Sequence, residues 1–305
     1  MRVRAIVNLR AGIAAHRALD VFAAGRPGWP RVEVRLTEGP GHATELARQA
    51  LLEGASLVLA AGGDGTVNEA AQGLEGSAVP LGILPVGSGN GLARALRIPL
   101  RPDRALCALE TGVARPIDVG QINGKPFLNV AGVGFDALVG GAFHAAGSQG
   151  GRRGIWPYVR TSVALLSSYE PSSVRVETED AQIETRPFLV SFANGPQYGG
   201  GAVLNPGARL DDGRFEVIVF EDGSLLGILA AAPRLFLGGI ERSPGYRRLR
   251  TMRAVLEVAA PLVHHRDGEP EPKAERYVVT LKPRALNVIV PRTTATDPAG
   301  PFAPG

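Results

Sequence analysis

The sequence predicts an α/β domain on a parallel sheet, followed by a second domain rich in β-strand. Over roughly the first 120 residues, short apolar runs alternate with segments of helical period. Around residue 116 the pattern changes to strand-like runs between turn residues. A third observation places the chemistry of the first domain: two glycine-rich loops, each following an apolar run and leading into a helical segment.

In the first domain, strands are expected at 3–8, 31–36, 56–60 and 81–84. Helices are expected near 13–24, 42–53, 66–74, 89–96 and 102–112. The segment 42–53 shows why: Ala43, Leu46, Ala47, Ala50 and Leu51 recur three and four apart and make one apolar face. In the second domain the strand-like runs are 127–130, 173–177, 188–192, 215–219, 254–258, 276–281 and 285–290, with helical insertions at 136–146 and 156–169. The expected domains are therefore 1–118 and 119–291. The Thr-, Ala- and Pro-rich tail 292–305 is expected to be disordered. Ser224 to Ile240 is apolar, but it is too short to span a bilayer and Pro233 and Arg234 interrupt it.

The first glycine loop reads Gly62-Gly63-Asp64-Gly65-Thr66-Val67-Asn68-Glu69, and the second Gly87-Ser88-Gly89-Asn90-Gly91. Glycines lacking Cβ let backbone N–H groups surround an anion, and the helix N-terminus behind them adds positive dipole. Two such loops at consecutive strand ends suggest a polyphosphate site. A carboxylate among phosphates needs a task, and Asp64 could hold Mg²⁺ or take a proton from an attacking hydroxyl. The plainer reading is a tight glycine turn capped by Asp64 with Thr66 as an N-cap. The P-loop pattern is absent, since Gly124-Lys125 is followed by Pro126. A G-x-G-x-x-A match at Gly132 to Ala137 is weak, with no clear acidic residue about twenty residues on.

Composition bounds the rest. The 305 residues are 45% hydrophobic, enough for full cores. The net charge of +4, carried mostly by arginine, fits an anionic partner. No stripe of arginines with aromatics points to nucleic acid. Cys107 stands alone, which excludes an internal disulfide and a multi-cysteine zinc site; it is expected to pack on a helix face. Met1 to Val7 runs straight into a strand with no signal peptide, so a cytoplasmic location is expected.

The paired loops resemble those of the diacylglycerol kinase catalytic-domain family, bacterial lipid kinases similar to sphingosine kinases and more distantly to NAD kinases. The resemblance covers roughly residues 1 to 291. It includes Asn8 to Gly12 after the first strand, with Leu9 in place of the family's proline, and Thr37 after the second. Ser88 keeps the hydroxyl of the second loop, whereas Gly91 lacks the family's aspartate. The resemblance implies an NAD-kinase-like α/β domain, a β-sandwich and an active site in the interdomain cleft. It implies ATP and Mg²⁺ as cofactors, with Asn8, Gly12, Thr37, Gly62, Gly63, Asp64, Gly65, Thr66, Val67, Asn68, Glu69, Gly87, Ser88 and Asn90 binding the nucleotide.

Two further motifs belong to the resemblance. Leu210-Asp211-Asp212-Gly213 implies a Mg²⁺ held by Asp212 and the carbonyls of Arg209 and Arg214; the plainer reading is a β-turn before a strand. Asp267-Gly268-Glu269 implies Glu269 as the proton acceptor, although alone it reads as a hairpin turn. Either Glu269 or Asp64 is the base; Glu269 is preferred, with Asp64 on nucleotide and Mg²⁺. His264 and His265 read as strand residues rather than ligands. Asp136 in Gly-Phe-Asp-Ala matches a position that contacts the lipid headgroup in sphingosine kinases. Arg152 and Arg153, near Trp156 and Tyr158, are candidates to rest on an anionic membrane, with a solvated loop as the plainer reading. The expected activity is transfer of the ATP γ-phosphoryl group to a hydroxyl of a lipid such as diacylglycerol or a sphingoid-like lipid. The lipid would be met at the membrane surface, peripherally on its inner face, by a chain for which a homodimer is open. The alternatives are a soluble-substrate kinase of NAD-kinase type and a nucleotide-binding regulator without turnover.

Overall fold

The computed structural model describes residues 2–25, 30–135, 137–138, 169–221 and 224–303. The apolar runs of the first 85 residues form four parallel strands: β1 (Val3–Val7), β2 (Val32–Leu36), β3 (Leu57–Gly62) and β4 (Leu81–Pro85). Their order is β2-β1-β3-β4. Every residue of β3 and β4 is buried, as expected of parallel strands covered on both faces. The helices are α1 (Ile13–Ala23), α2 (His42–Leu52), α3 (Asp64–Leu74), α4 (Gly91–Ala95) and α5 (Pro102–Glu110). Ala15, Ala18 and Phe22 of α1 pack with Leu106 and Leu109 of α5 on Val3, Ala5, Leu57 and Leu59. α2 and α3 approach closely because Gly73 has no side chain: a Cβ there would lie 2.5 Å from Ala47 Cβ.

The chain groups into two units. One holds Met1–Val119, Arg209–Asp212 and Pro283–Gly305; the other holds Gly120–Ala208 and Gly213–Lys282. The expected division at 118 and 291 is continuous in sequence, whereas 209–212 and 283–291 group with the first unit in the structure. The expectation for 292–305 also differs from what the described residues show. Arg292–Ala295 is a short helix, and Thr294 and Phe302 are buried. Composition suggested disorder, but partners distant in sequence hold this segment, as described below.

β5 (Val113–Ile122), which sequence reading missed because Pro116 and Asp118 interrupt its apolar pattern, leads into the second unit. There follow β6 (Lys125–Phe127), β7 (Val130–Gly134), β8 (Val174–Thr178), β9 (Gln182–Thr185), β10 (Leu189–Ala193), β11 (Phe215–Phe220), β12 (Tyr246–Thr251), β13 (Arg253–Arg266) and β14 (Glu269–Val290). The antiparallel order is β12-β11-β10-β7-β13. β13 also pairs through Ala254–Val258 with β8, which pairs with β9. One strand thus serves two sheets, and its register shifts between Glu257 and His264 make the bend. Tyr277 of β14 fills that bend, its hydroxyl 2.6 Å from Leu262 O and 2.8 Å from Ala274 O. Burial pushes this phenol up to about 12, so it remains a donor. The core gathers Phe127, Phe192, Phe215, Leu256 and Tyr277 from both sheets, a β-sandwich arrangement.

The runs 276–281 and 285–290 are one strand, β14. β7, which carries Gly132 to Gly134, lies antiparallel between β10 and β13, so the G-x-G-x-x-A match is not a dinucleotide-binding turn. Cys107, expected to pack, is exposed on α5. Helix Leu225–Leu237 is capped by Ser224, whose Oγ accepts from Gly227 N at 3.0 Å. No helix among the described residues is long and apolar enough to cross a membrane. Apart from residues 137–138 and 169, the two expected insertions lie outside the described residues, as do Asp136, Arg152, Arg153, Trp156 and Tyr158.

Candidate functional site

The first glycine loop is a direct passage from β3 into α3. Gly63 is extended and α3 begins at Asp64, two residues earlier than expected, with Gly63 as an N-cap that has no side chain to offer. The first-turn N–H groups of any α-helix lack intrahelical acceptors, and such a terminus attracts negative charge. The passage is tight: a Cβ on Gly62 would lie 2.3 Å from Thr66 Cβ. Thr66 is not an N-cap; its Oγ1 accepts from Asn8 Nδ2 at 3.0 Å. Asn8 in turn donates its N–H to Ala61 O at 3.0 Å, and its Oδ1 accepts from Arg10 N at 3.0 Å. This one side chain ties the loop after β1 to the start of α3. Although Leu9 replaces proline, residues 9–11 form a closed 3-10 turn ending at Gly12, whose φ of +92° suits glycine. Thr37, at the end of β2, donates its N–H to Val7 O at 3.0 Å, next to Asn8 in the chain.

The second loop is closed by its own asparagine. Asn90, in the left-handed region at φ +52°, accepts from Gly87 N at 3.1 Å and donates to Gly87 O at 2.7 Å. Arg94 Nε donates to Gly89 O at 3.0 Å, a support not foreseen from sequence. Ser88 is left exposed on the loop. The two loops are joined by Val86 N donating to Gly62 O at 3.1 Å. Gly63 and Gly87 then pass so closely that a Cβ on Gly87 would lie 2.4 Å from Gly63 Cα. Asn8, Gly62, Gly63, Asp64, Gly65, Thr66, Gly87, Ser88 and Asn90 thus gather at one end of the parallel sheet.

Val67, Asn68 and Glu69 are placed differently. Val67 is buried core, and Asn68 is buried with Oδ1 accepting from Gln72 Nε2 at 2.7 Å. The Glu69 carboxylate accepts from Gly41 N at 2.8 Å and Ala43 N at 3.2 Å, and so caps α2. Its occupation is structural: a carboxylate at a helix N-terminus satisfies donors that otherwise lack partners.

In the second unit Glu269 follows a two-residue hairpin turn, Asp267 at φ +50° and Gly268 at φ +88°, which is type I′ geometry. The turn is anchored by a residue sequence reading did not single out. Asp267 accepts from Leu128 N and Asn129 N, each at 2.8 Å, and from Val130 N at 3.1 Å, while its own N–H donates to Val130 O. His265 Nδ1 accepts from Gly268 N at 3.3 Å, which leaves the ring proton on Nε2. His264 and His265 are buried strand residues. Two carboxylates follow the turn, in different settings. Burial pushes Glu271 up, but Lys125 and Arg266 hydrogen-bond it and hold it below the ordinary range. Arg266 donates to Glu271 through Nε at 2.8 Å and to Pro126 O at 2.7 Å, and Glu269, which follows the turn, is half-buried.

For a metal, Asp212 is half-buried on a turn that Gly213 allows at φ +73°. Its neighbour Asp211 is engaged by Arg115 Nη2 at 3.1 Å. No group of three or more His, Cys, Asp or Glu residues suited to a metal occurs among the described residues. One carboxylate supplemented by backbone carbonyls is a hard-oxygen donor set that fits Mg²⁺ with water completing the shell.

Comparison with known proteins places the chain in a family. The model of the diacylglycerol kinase catalytic domain matches residues 2–122, and that of the YegS C-terminal NAD kinase β-sandwich-like domain matches 129–290. A Pseudomonas aeruginosa protein named "Probable lipid kinase YegS-like" is 37% identical, covering 93% of this chain and 90% of its own length. Diacylglycerol kinase of Bacillus subtilis is 33% identical, covering 84% of each. Among solved structures, a diacylglycerol kinase from Bacillus anthracis superposes with a TM-score of 0.71 at 23% identity, over 95% of this chain and 96% of that one. An Archaeoglobus fulgidus NAD kinase in complex with ATP gives 0.54 at 12% identity, over 95% and 94%. These two likenesses concern the fold.

Proposed function

Because the chain belongs to the diacylglycerol kinase catalytic-domain family, a family of lipid kinases, we propose that it transfers the γ-phosphoryl group of ATP to a hydroxyl of a lipid such as diacylglycerol or a sphingoid-like lipid. The observation that carries this reading is the joined pair of glycine loops. Backbone N–H groups at the start of α3 and around Gly87 would receive the phosphates, and the Gly63–Gly87 contact keeps side chains out of that space. Thr66 and Asn8 fix the loop, and Ser88 offers a hydroxyl from its exposed position.

Mg²⁺ would neutralise phosphate charge, with Asp64 as its carboxylate partner. A second Mg²⁺ would be held by Asp212 and the carbonyls of Arg209 and Arg214. Glu269 would take the proton of the acceptor hydroxyl as the new P–O bond forms and ADP leaves. The rigid Asp267-Gly268 turn supports that role by fixing where the carboxylate starts. The lipid would be taken from the membrane surface by a peripherally bound chain.

The test separates the two carboxylates. Glu269→Gln should bind nucleotide as the parent does and lose turnover by about 10²–10⁴. Asp64→Asn should weaken Mg²⁺-nucleotide binding as well. Single-turnover assays against diacylglycerol, a sphingoid base and NAD in detergent micelles check both. Normal turnover by Glu269→Gln removes it as the base, phosphorylation of NAD alone selects the soluble-substrate reading, and nucleotide binding without any turnover selects the regulator.

A further inference from the structure

The turn that carries Asp212 is held by a segment 89 to 93 residues further along the chain. Leu210 N donates to Pro301 O at 2.8 Å, and Leu210 O accepts from Asp118 N at 2.6 Å, so both backbone groups of this fully buried residue are satisfied. The Arg209 guanidinium spans three alternate carbonyls: Pro298 O at 2.8 Å, Gly300 O at 2.6 Å and Phe302 O. The buried Asp211 carboxylate accepts from Ala303 N at 2.6 Å and from Arg115. The Arg115 guanidinium lies 4.7 Å over the ring of Phe302, which is buried. The segment is itself braced, by Ala299 N donating to Asp297 Oδ1 at 2.8 Å and by the Asp297–Arg97 ion pair. All of these residues belong to the first unit.

We infer that residues 297–303 are a clasp that positions the Arg209–Asp212 turn, so that the turn is ordered by the chain itself before any cation reaches Asp212. The geometry suits arginine at 209, because a planar fork of N–H donors in fixed directions matches the alternate carbonyls of this turn-and-bend segment, whereas a lysine ammonium is a single point on a flexible stem. Asp211 adds a second fixed point, since a buried carboxylate left without donors is costly. Arg209 and Asp211 are therefore positioning residues. This role goes beyond the kinase reading and stands whether or not Asp212 binds Mg²⁺.

The experiment is hydrogen–deuterium exchange on the full chain, on a chain ended after Thr296 and on full-length Arg209→Gln, each with EDTA and with millimolar Mg²⁺. The full chain should protect the Leu210 amide equally in both solutions. In the shortened chain and in Arg209→Gln, exchange across 208–212 should accelerate at least about tenfold in EDTA while the amides of β3 and β4 keep their rates, the signature of local rather than global opening. Should the shortened chain fail to fold, Arg209→Gln and Phe302→Leu decide by the same measure. Unchanged exchange at 208–212 in these variants overturns the inference. So does a Leu210 amide that only Mg²⁺ protects in the full chain, or acceleration spread evenly over the unit. No nucleotide or lipid is present, so failure of the kinase reading would leave these outcomes unaffected.

Discussion

The contact between the two glycine loops makes a sharp asymmetry between its two members. A Cβ on Gly87 would lie 2.4 Å from Gly63 Cα, 3.3 Å from Gly63 N and 3.1 Å from Asn90 Oδ1. Carbon atoms prefer about 3.5–4.0 Å, so the loops must part by roughly 1 Å. The obstacle is backbone, and no rotamer change relieves it. Parting the loops strains the Val86 N–Gly62 O hydrogen bond, worth about 0.5–1.5 kcal/mol, on top of an overpacking cost of about 1–3 kcal/mol. Gly87→Ala should therefore destabilise by roughly 2–4 kcal/mol. A Cβ on Gly63 meets Gly87 Cα at 3.4 Å, an ordinary contact, and its φ of −86° is open to any residue. Gly63→Ala should stay within about 0.5 kcal/mol of the parent. Urea unfolding of both variants, with unchanged m-values, measures the difference. Equal midpoints for the two alanine variants would refute the idea that the loops are locked by this contact.

Two other perturbations follow from the second unit. Asp267→Asn keeps a residue type that tolerates positive φ but sets an amide NH₂ against donors at 128–130; it should cost about 1–3 kcal/mol by urea unfolding, and a loss under 0.5 kcal/mol would mean that the carboxylate does not anchor the turn. Burial holds the His264 imidazole below its ordinary 6.5, outweighing the opposing pull of Glu271 and the Pro272 backbone, with His265 and Arg266 adding to the depression. Its share of stability is complete above pH 6.5 and falls as the unfolded chain takes up a proton that the folded chain refuses. Between pH 7.5 and 5.5 the parent should lose up to about 1.4 kcal/mol more than His264→Gln, and parallel pH profiles of the two would exclude the effect.

What could be read from sequence divides along the range of the interactions involved. β3 and β4 are legible because both faces are buried and their residues are apolar without break. The glycine loops are legible because the requirement for close backbone approach is met locally. β12 is not, because Arg247, Arg248 and Arg250 stand exposed on a strand that ends the sheet order. β14 reads as two runs because Lys282-Pro283-Arg284 looks like a turn; within the strand Arg284 adopts φ +50° and donates its N–H to Asp118 at 2.7 Å. Glu69 reads as part of the nucleotide loop, yet the donors it satisfies belong to another helix. The segment after Pro291 reads as a tail because Thr, Ala and Pro encode no periodicity; its order comes from Arg209, Asp211 and Arg115.

The first unit is interrupted in the chain, and this has a consequence for biosynthesis. Residues 283–305, which supply Val288 opposite Leu81 of β4 and the segment around Phe302, are translated after the whole of the second unit. Vectorial folding normally completes the N-terminal domain first. Here the order of completion is inverted: the β-sandwich has all its strands while the unit begun at residue 2 still lacks a neighbour for β4. The strands of the second unit are thus all synthesised before β4 gains its neighbour in Val288. The first unit is therefore completed only after residues 283–305 are made, although both glycine loops lie within its first 119 residues.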